Sequence, residues 1–348
     1  MTTRMLATRG LSNVRDAFDL VREAMVPGEF HLGASHATEH TPLRLSADSF
    51  YLEPADGGAP EAYVEWLLAL CRERDFALVW PQSRWSWLLK AQDRFAALGA
   101  RLILPCPDAE TLDELQNKDR ANARLADAGV PLPQTLRVTT GAEFSDALAL
   151  LGDGGRRACV KPVRSIYGLG FRLIDDDKRP LDRLLANDCF TVGGAEFARL
   201  LDTAEGRHPF LAMEYLAGDE RSIDCLAREG RLLRAVVRRK PANAHGRWQL
   251  IEENPESRDI ARRVIAAFRL DGLINVQTRE RICPDGRREQ CFLEVNPRMS
   301  GGIDMACRAG LNLPYWLLRS VAGTVAEAAI PWPVAGLRVA KIERAVTL

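Results

Sequence analysis

The sequence has no surplus of charge of either sign, because 47 lysines and arginines balance 47 aspartates and glutamates across 348 residues. A neutral chain lacks the overall electrostatic field that draws proteins to DNA, RNA or anionic membranes. It also has no run of about 18 apolar residues, the length that a membrane-spanning helix needs. Met1 to Leu11 carries two arginines and predicts a strand rather than a signal peptide. These observations predict a cytoplasmic protein with neither a nucleic acid nor a membrane as its partner.

Paired cysteines are also lacking, since none of the eight cysteines forms a CxxC motif with another. Zinc sites and disulfide frameworks in small domains show closer and more regular spacing. We therefore predict reduced and mostly buried thiols. The eight residues are Cys71, Cys106, Cys159, Cys189, Cys225, Cys283, Cys291 and Cys307.

Three histidines, His31, His36 and His40, fall within ten residues of one another. Gly33 and Pro42 surround them in a stretch rich in serine and threonine, which predicts a loop. Solvated or substrate-facing side chains are favoured there, and a metal site is the less favoured alternative.

The first ~110 residues alternate short apolar runs with amphipathic helical patterns. The strand pattern at 4–7, for example, is followed by a helical pattern at 14–25. Alternation of this kind predicts a parallel, Rossmann-like sheet. No GxGxxG follows the first strand, so nothing in the sequence supports dinucleotide binding.

Pro105 and Pro107 mark a boundary after this region. Asn117 then has the position of an N-cap for a helix that runs to about Ala128, where Gly129 favours termination. A mixed pattern follows, and from Pro209 onward strand signals come in hairpins. We predict three segments, at residues 1–111, 112–208 and 209–348.

One hairpin is indicated by two strand-like segments, Leu273 to Gln277 and Gln290 to Asn296. Between them, the sequence Pro-Asp-Gly-Arg is a strong turn signal. A hairpin centred between Asp285 and Gly286 pairs residues whose numbers sum to 571.

This register places Gln277 opposite Glu294, and Asn296 lies on the same face as Glu294 because side chains alternate along a strand. Three oxygen-bearing side chains would then converge on one patch, and oxygen ligands suit a hard cation such as Mg²⁺. A solvent-facing polar edge of the sheet remains the alternative. A slip of one residue in the turn would separate Gln277 from Glu294.

A second candidate element begins with the apolar strand pattern at 158–162, which carries Lys161 near its end. Arg164 and two glycines, Gly168 and Gly170, follow. Glycines let backbone N–H groups approach phosphate oxygens, and the two cations would add positive charge. A solvated strand end is the alternative for Lys161.

The amino-acid sequences of these segments resemble those of a known family. Phe292 to Arg298 reads FLEVNPR, and Gly272 to Gln277 reads GLINVQ. This pair closely resembles the metal-binding hairpin of ATP-grasp enzymes, especially carbamoyl phosphate synthetase large-subunit domains and related carboxylate–amine ligases. The resemblance covers about residues 112 to 325. Three further segments that resemble the family precede this hairpin in the chain, in the same order as in the family, at 117–119, 158–171 and 210–218.

The resemblance implies roles for the hairpin residues. Gln277, Glu294 and Asn296 would hold Mg²⁺ ions that bridge the ATP phosphates, with Mn²⁺ as a substitute. Arg298 would stabilise the transferring phosphoryl group or an acyl phosphate, with Lys161 as the second catalytic residue. Gln277 replaces the carboxylate that many relatives have, so it contributes no charge.

The resemblance also implies a nucleotide site. A helix-start lysine, the strand lysine and the glycine loop would contact phosphates, and a linker after the strand at 210–214 would read adenine. The implied residues are Lys118, Lys161, Arg164, Ser165, Gly168, Gly170, Met213, Glu214, Tyr215, Leu216 and Asp224. The basic residues 238–240 would recognise phosphate or a substrate carboxylate, or would form a solvated strand end.

The implied fold class is α/β and α+β, an ATP-grasp fold after an N-terminal Rossmann-like domain. On this reading, residues 1–111 form the pre-ATP-grasp domain, 112–208 the small subdomain with the glycine loop, and 209–348 the large subdomain with the metal hairpin. Gly310 to Tyr315 resembles ATP-grasp proteins associated with tellurite-resistance gene clusters.

The implied activity is that of an ADP-forming ligase, which uses Mg-ATP to activate a carboxylate as an acyl phosphate for attack by an amine. An ATP-binding regulatory protein without ligase activity and a small-molecule kinase are the alternatives. The expected partners are ATP, a carboxylate and an amine, and a homodimer is left open. We expect Ser300 to Asp304 and the loop after the first strand to select the substrates.

Overall fold

The computed structural model describes residues 2–10, 13–55, 59–152, 157–165, 168–241, 248–342 and 345–348. The chain forms two compact units. The first unit contains Met1–Leu112, Asp219–Thr278 and Glu294–Leu348, and the second contains Asp113–Gly218 and Arg279–Leu293. This division into two units leaves the three segments, 1–111, 112–208 and 209–348, as a prediction.

The first sheet lies in the first unit and is entirely parallel, with strand order β3-β2-β1-β4-β5. This arrangement confirms the predicted Rossmann-like architecture. Its strands are β1 (Thr3–Ala7), β2 (Phe30–His36), β3 (Ser49–Leu52), β4 (Leu78–Trp80) and β5 (Arg101–Leu102). Its helices are α1 (Val14–Ala24), α2 (Pro60–Arg74) and α3 (Trp85–Ala97), with a 3₁₀ turn at Pro42–Leu45.

The predicted loop around the histidines is wrong for its first part, because residues 30–36 form strand β2. Gly33 serves packing rather than a turn, since a Cβ there would lie 2.6 Å from the Phe76 ring. His31 Nε2 lies 2.9 Å from Ser49 Oγ on the neighbouring strand. Burial, together with the charge of Arg4, lowers the pKa of His31. Only His40 lies in the loop beyond the strand.

The second sheet lies in the second unit and has the order β6-β10-β7-β8-β9. Helix α5 begins where the sequence predicts, because the Asn117 side chain accepts hydrogen bonds from the amides of Asp119 and Arg120. The strands are β6 (Thr135–Val138), β7 (Ala158–Pro162), β8 (Arg172–Ile174), β9 (Thr191–Val192) and β10 (Phe210–Glu214). The helices, including α4 that precedes α5, are α4 (Ala109–Gln116), α5 (Lys118–Asp127), α6 (Gly141–Leu151), α7 (Pro180–Leu185) and α8 (Gly194–Thr203).

The third sheet has the order β15-β14-β11-β12-β13-β16. Its strands are β11 (Glu220–Arg228), β12 (Arg231–Lys240), β13 (Gln249–Glu252), β14 (Gly272–Ile282), β15 (Arg288–Asn296) and β16 (Arg338–Val339). The associated helices are α9 (Pro255–Ala267), α10 (Ile303–Cys307) and α11 (Leu313–Val321), with a 3₁₀ turn at Glu327–Ala329. The two predicted hairpin strands are thereby confirmed.

The first and third sheets share one hydrophobic cluster within the first unit. It includes Met5 and Leu32 of the first sheet, Val236 of the third sheet and Leu317 of α11, all fully buried. Burial of apolar surface is the main favourable contribution to folding. The N-terminal sheet therefore depends on C-terminal residues for its core. Among the described residues, no helix is long and apolar enough to cross a membrane.

Arg238 on β12 is the most unusual interior residue of the third sheet, since its side chain is only 2% exposed. Its Nε donates to Asp224 Oδ2 at 2.8 Å, and its Nη2 lies 2.7 Å from the same oxygen. Nη2 also donates to Ser222 Oγ at 3.1 Å and to Ser300 Oγ at 2.9 Å, while Nη1 donates to Gln249. One guanidinium thus joins three strands to the segment that follows β15.

Replacing Arg238 with Met should lower the free energy of unfolding by about 3–5 kcal/mol, because Asp224 would keep a buried charge without its cation. The control Arg231→Met lies on the same strand with a side chain that is 69% exposed, and it should cost less than about 1 kcal/mol. Urea denaturation followed by circular dichroism measures both. Adding Asp224→Leu to Arg238→Met should recover part of the loss, and no recovery would contradict the argument.

All eight cysteines are free, and six of them are buried, as the sequence predicts. Cys189 is exposed and Cys283 is half-buried. Burial raises the pKa of Cys71 and of Cys307 to about 12. Because the thiolate is the reactive species, such thiols should be inert in the folded protein.

A disulfide reagent such as 5,5′-dithiobis(2-nitrobenzoate) should therefore label Cys189 quickly and Cys283 more slowly. The six buried thiols should react only after unfolding in guanidinium, and mass spectrometry of the labelled peptides identifies each site. The variant Cys189→Ser should lose the fast phase. Fast labelling of Cys225 in the native state would show that the interior is open.

Candidate active site

Lys161 lies at the end of β7 in the second unit. The strand pairs antiparallel with β10, which places Lys161 beside Leu211, and its preceding residue Val160 is fully buried. Lys161 Nζ donates to the Leu293 carbonyl at 3.1 Å. A buried strand therefore delivers a half-buried lysine, as the sequence predicts.

Lys118 is the first residue of α5. Its amide donates to the Val163 carbonyl at 3.0 Å, and its Nζ donates to both the carbonyl and the Oγ of Ser165 at 2.9 Å. The structure thus brings together two residues of the predicted nucleotide set. Arg164 points elsewhere, since its Nη2 donates to Asp113 at 2.7 Å near the surface.

The glycine loop is partly described, because Ile166 and Tyr167 lie outside the described residues. Gly168 and Gly170 have φ angles of 68° and 79°, in the left-handed region that favours glycine. A Cβ on Gly170 would also lie 2.5 Å from Pro162 Cγ. The conformation of this turn therefore requires the glycines, and their contact with phosphate remains a prediction.

The predicted adenine linker, Met213 to Leu216, begins with the last two residues of β10 and continues beyond the strand. Glu214 is buried, and its carboxylate accepts hydrogen bonds from Arg281 Nε at 2.9 Å and Nη2 at 2.9 Å. The Tyr215 ring has the Arg279 guanidinium 5.2 Å from its centroid. Glu214 thus already has a cationic partner in the second unit, and a role in binding the adenine amino group remains a prediction.

Sequence reasoning missed Arg279 and Arg281. Both lie on β14, two and four residues after Gln277, so the strand period of two continues from that residue. This alternation could have indicated that the two arginines lie on the same face as Gln277. A run of charged residues is, however, also typical of a solvated strand.

Three predicted residues form a hydrogen-bonded row in the first unit. Asn296 Nδ2 donates to Glu294 Oε1 at 2.9 Å, and Arg298 Nη2 donates to Asn296 Oδ1 at 3.3 Å. Arg298 Nη1 also donates to the Met299 carbonyl at 3.1 Å. Alternate positions at the end of β15 and just beyond it therefore present a carboxylate, an amide and a guanidinium side by side.

Gln277 belongs to a different network of the same unit. Its Nε2 donates to Asn275 Oδ1 at 3.3 Å, and Asn275 Nδ2 donates to Ser222 Oγ at 2.9 Å and approaches Asp224 Oδ1 at 3.4 Å. Asp224 is 2% exposed and paired with Arg238. Across the described ranges, no hydrogen bond joins Gln277 to Glu294.

The hairpin turn differs by one residue from the predicted register. The Cys283 amide donates to the Arg287 carbonyl at 2.9 Å, and the Gly286 amide donates to the Cys283 carbonyl at 2.9 Å. With Gly286 at φ 81°, this is a three-residue turn with a bulge, which pairs residues summing to 570 near the turn. Gln277 and Glu294 can then share a face only if one further register shift intervenes.

The candidate metal ligands are one carboxylate, Glu294, and two amides, Gln277 and Asn296. Oxygen donors of this kind fit Mg²⁺, which keeps several waters and relies on nucleotide phosphates for further ligands. The described part of the chain contains no cluster of three His, Cys, Asp or Glu side chains suited to a metal. The donor chemistry therefore fits the ion, with only one negative charge from the protein.

Comparisons with known proteins address the fold. Residues 206–345 match the sequence model of a family described as ATP-grasp in the biosynthetic pathway with the Ter operon. No curated protein sequence matches the chain.

Three solved structures are similar to most of the chain. N5-carboxyaminoimidazole synthetase from Staphylococcus aureus has a TM-score of 0.66 at 13% identity, covering 95% of this chain and 79% of its own. An L-amino acid ligase from Bacillus licheniformis has a TM-score of 0.61 at 16% identity, with 95% and 78% covered. Biotin carboxylase from Campylobacter jejuni has a TM-score of 0.64 at 14% identity, with 95% and 73% covered.

At these low identities the structural likeness is evidence for the fold alone. It confirms the ATP-grasp fold that the sequence of the hairpin predicts. The chain has an ATP-grasp fold, and its residues 206–345 match the Ter-operon type of ATP-grasp sequence.

Proposed function

We propose that this protein is an ATP-dependent ligase, which transfers the γ-phosphoryl group of ATP to a carboxylate, giving ADP and an acyl phosphate, from which an attacking amine then displaces phosphate. The observation that carries the proposal is the row of Glu294, Asn296 and Arg298 within an ATP-grasp fold. A carboxylate, an amide oxygen and a guanidinium side by side suit a metal-bound phosphoryl group. Two similar structures, a synthetase with ADP and a carboxylase with MgADP, support the choice of nucleotide.

The nucleotide would be held by residues of the second unit. Lys118 and Lys161 are half-buried cations whose ammonium groups donate to the carbonyl and hydroxyl of Ser165 and to the Leu293 carbonyl. Ammonium groups held in place by such contacts would be favourable partners for phosphate oxygens. The backbone of Tyr215 and Leu216 would read the adenine.

Glu294, Asn296 and Gln277 would hold Mg²⁺, with Mn²⁺ as a substitute. The ion would supply charge neutralisation for the phosphates and polarise the transferring group. Arg298 would complete this neutralisation from the other side of Asn296. Since phosphoryl transfer depends mainly on positioning and electrostatics, a pre-arranged row of this kind is what the step requires.

The remaining proposals concern reactants and location. A carboxylate becomes a good electrophile only when its oxygen leaves as phosphate, so an amine is the expected second reactant. Nucleic acid and membrane are not proposed as partners. Free cysteines fit a reducing compartment, and we propose the cytosol.

The variant Glu294→Gln should reduce substrate-dependent ADP release by roughly 100-fold or more, because it removes the one carboxylate of the candidate metal set. The screen pairs carboxylic acids, amino acids and peptides with amines in Mg-ATP. Glu256→Gln, an exposed position on α9 of the same unit, is the matched control and should keep full activity. Circular dichroism should show both variants folded, and turnover by Glu294→Gln at the native rate would count against the proposal.

Hydroxylamine should trap the proposed intermediate as a hydroxamate when the active acid is present without its amine. We expect one hydroxamate for each ADP, measured by the iron(III) colour reaction. Release of ADP without hydroxamate would indicate a small-molecule kinase. Binding of ATP without ADP in every mixture would indicate a regulatory protein.

A further inference from the structure

Helix α7 of the second unit exposes its apolar side chains instead of burying them. Leu181, Leu184 and Leu185 are 63%, 75% and 77% exposed. Their spacing of three and four residues places them on one face of the helix. Helices of globular proteins ordinarily turn such a face toward the core. We call these three side chains the leucine patch.

Arg183 holds the opposite face of α7 inside the second unit. Its side chain is buried, and its Nη1 donates to the Lys178 carbonyl at 2.6 Å and to the Asp175 carbonyl at 3.5 Å. Its Nη2 forms an ion pair with Glu196 of α8. A rotation of α7 that buried the leucines would remove this guanidinium from its acceptors, and charge-assisted hydrogen bonds are among the stronger ones. The contacts of Arg183 therefore fix the outward position of the leucine patch.

The leucine patch is large enough to form a contact surface. Three leucines with this exposure present roughly 400 Å² of apolar surface, a size that often marks an interaction site on a soluble protein. Phe190, which follows the helix by five residues, is also exposed. Two facing copies of the patch with their charged neighbours would bury about 1,000 Å² in total, the lower limit for a specific interface. An interface of this size favours weak and reversible association.

The charges that flank the leucine patch are balanced and paired. Arg179 Nε donates to Asp182 Oδ2 at 2.8 Å, and Lys178 Nζ donates to Asp188 Oδ2 at 2.7 Å. Helices that bind anionic membranes carry an excess of lysine or arginine beside their apolar face. Equal numbers of both signs instead suit a second copy of the same surface, because a two-fold axis can bring the cations of one copy against the carboxylates of the other.

We propose that the leucine patch is the contact surface of a homodimer, in which two copies of this chain pack α7 against α7 about a two-fold axis. Each copy supplies the same three leucines, so the interface is self-complementary. Removal of these side chains from water drives the association. The inference does not depend on the proposed ligase activity, because it rests on the surface of the second unit.

Sedimentation equilibrium on the full chain tests the association, at concentrations from about 1 to 200 μM. The mass should rise from 38.6 kDa toward twice that value as the concentration increases. A chain that stays monomeric throughout this range would overturn the proposal. Growth beyond two copies would also overturn it, since a two-fold contact closes at the dimer.

The variant Leu184→Asp should weaken the dimer by roughly 100-fold or more, because each interface would bury two unpaired carboxylates. Leu184→Met keeps an apolar side chain of similar volume and should associate as the native chain does. The control Leu45→Asp changes an exposed leucine of the first unit and should also leave the association unchanged. Urea denaturation should show that each variant is folded. A dimer that persists in Leu184→Asp, or one that is lost in Leu45→Asp, would contradict the assignment of the patch.

Vesicles of phosphatidylglycerol and phosphatidylcholine separate the dimer from a lipid contact. The native chain should remain in the supernatant when the vesicles are sedimented, because the paired charges beside α7 offer no excess of cations to the lipid headgroups. Sedimentation of the native chain with the vesicles, lost in Leu184→Asp, would assign the leucine patch to a lipid surface and overturn the dimer.

Discussion

Arg238 carries a charge in the interior of the third sheet, and a buried guanidinium is tolerable only with a buried counter-charge and filled hydrogen bonds. Asp224 supplies the charge, while Ser222, Gln249 and Ser300 accept the remaining donors. A Cβ on Gly302 would lie 2.7 Å from Arg238 Nη1, so the segment after β15 packs directly on this group. The position of that segment is therefore set by an ion pair that needs no ligand.

Two features of the first unit meet on this segment. At its start, Arg298 joins Asn296 and Glu294 in the proposed metal row. At its end, the Gly301 carbonyl accepts hydrogen bonds from Asn13 and Lys341, and Asp304 lines a cavity beside the carboxyl ends of β1 and β2. A rigid segment would hold the proposed metal row in a fixed position, and the fixed position of reacting groups is a large part of catalysis.

Two acidic residues of the predicted nucleotide site already form ion pairs with arginines. Glu214 is already neutralised by Arg281 in the second unit, and Asp224 by Arg238 in the first. Glu294 is the one carboxylate of the proposed ligand set, it forms no ion pair among the described residues, and it accepts a hydrogen bond from the neutral amide of Asn296. A metal ion with nucleotide phosphates would complete the balance, which is why the Glu294 variant is the sharpest test of function.

The sequence by itself determined the local elements, because they depend on neighbouring residues: the Asn117 cap, the strand that carries Lys161 near its end, and the strand-helix alternation that predicts the parallel first sheet. It also determined that Glu294 and Asn296 share a face, since alternation along one strand suffices. Only the tertiary structure decided the rest. Gly33 looks like a turn residue until the Phe76 ring fills the space of its Cβ, and the hairpin register depended on a bulge at Gly286. The pairing of Arg238 with Asp224, and the cavity that joins Arg15 to Asp304, required contacts between residues far apart in the chain, which no local pattern encodes.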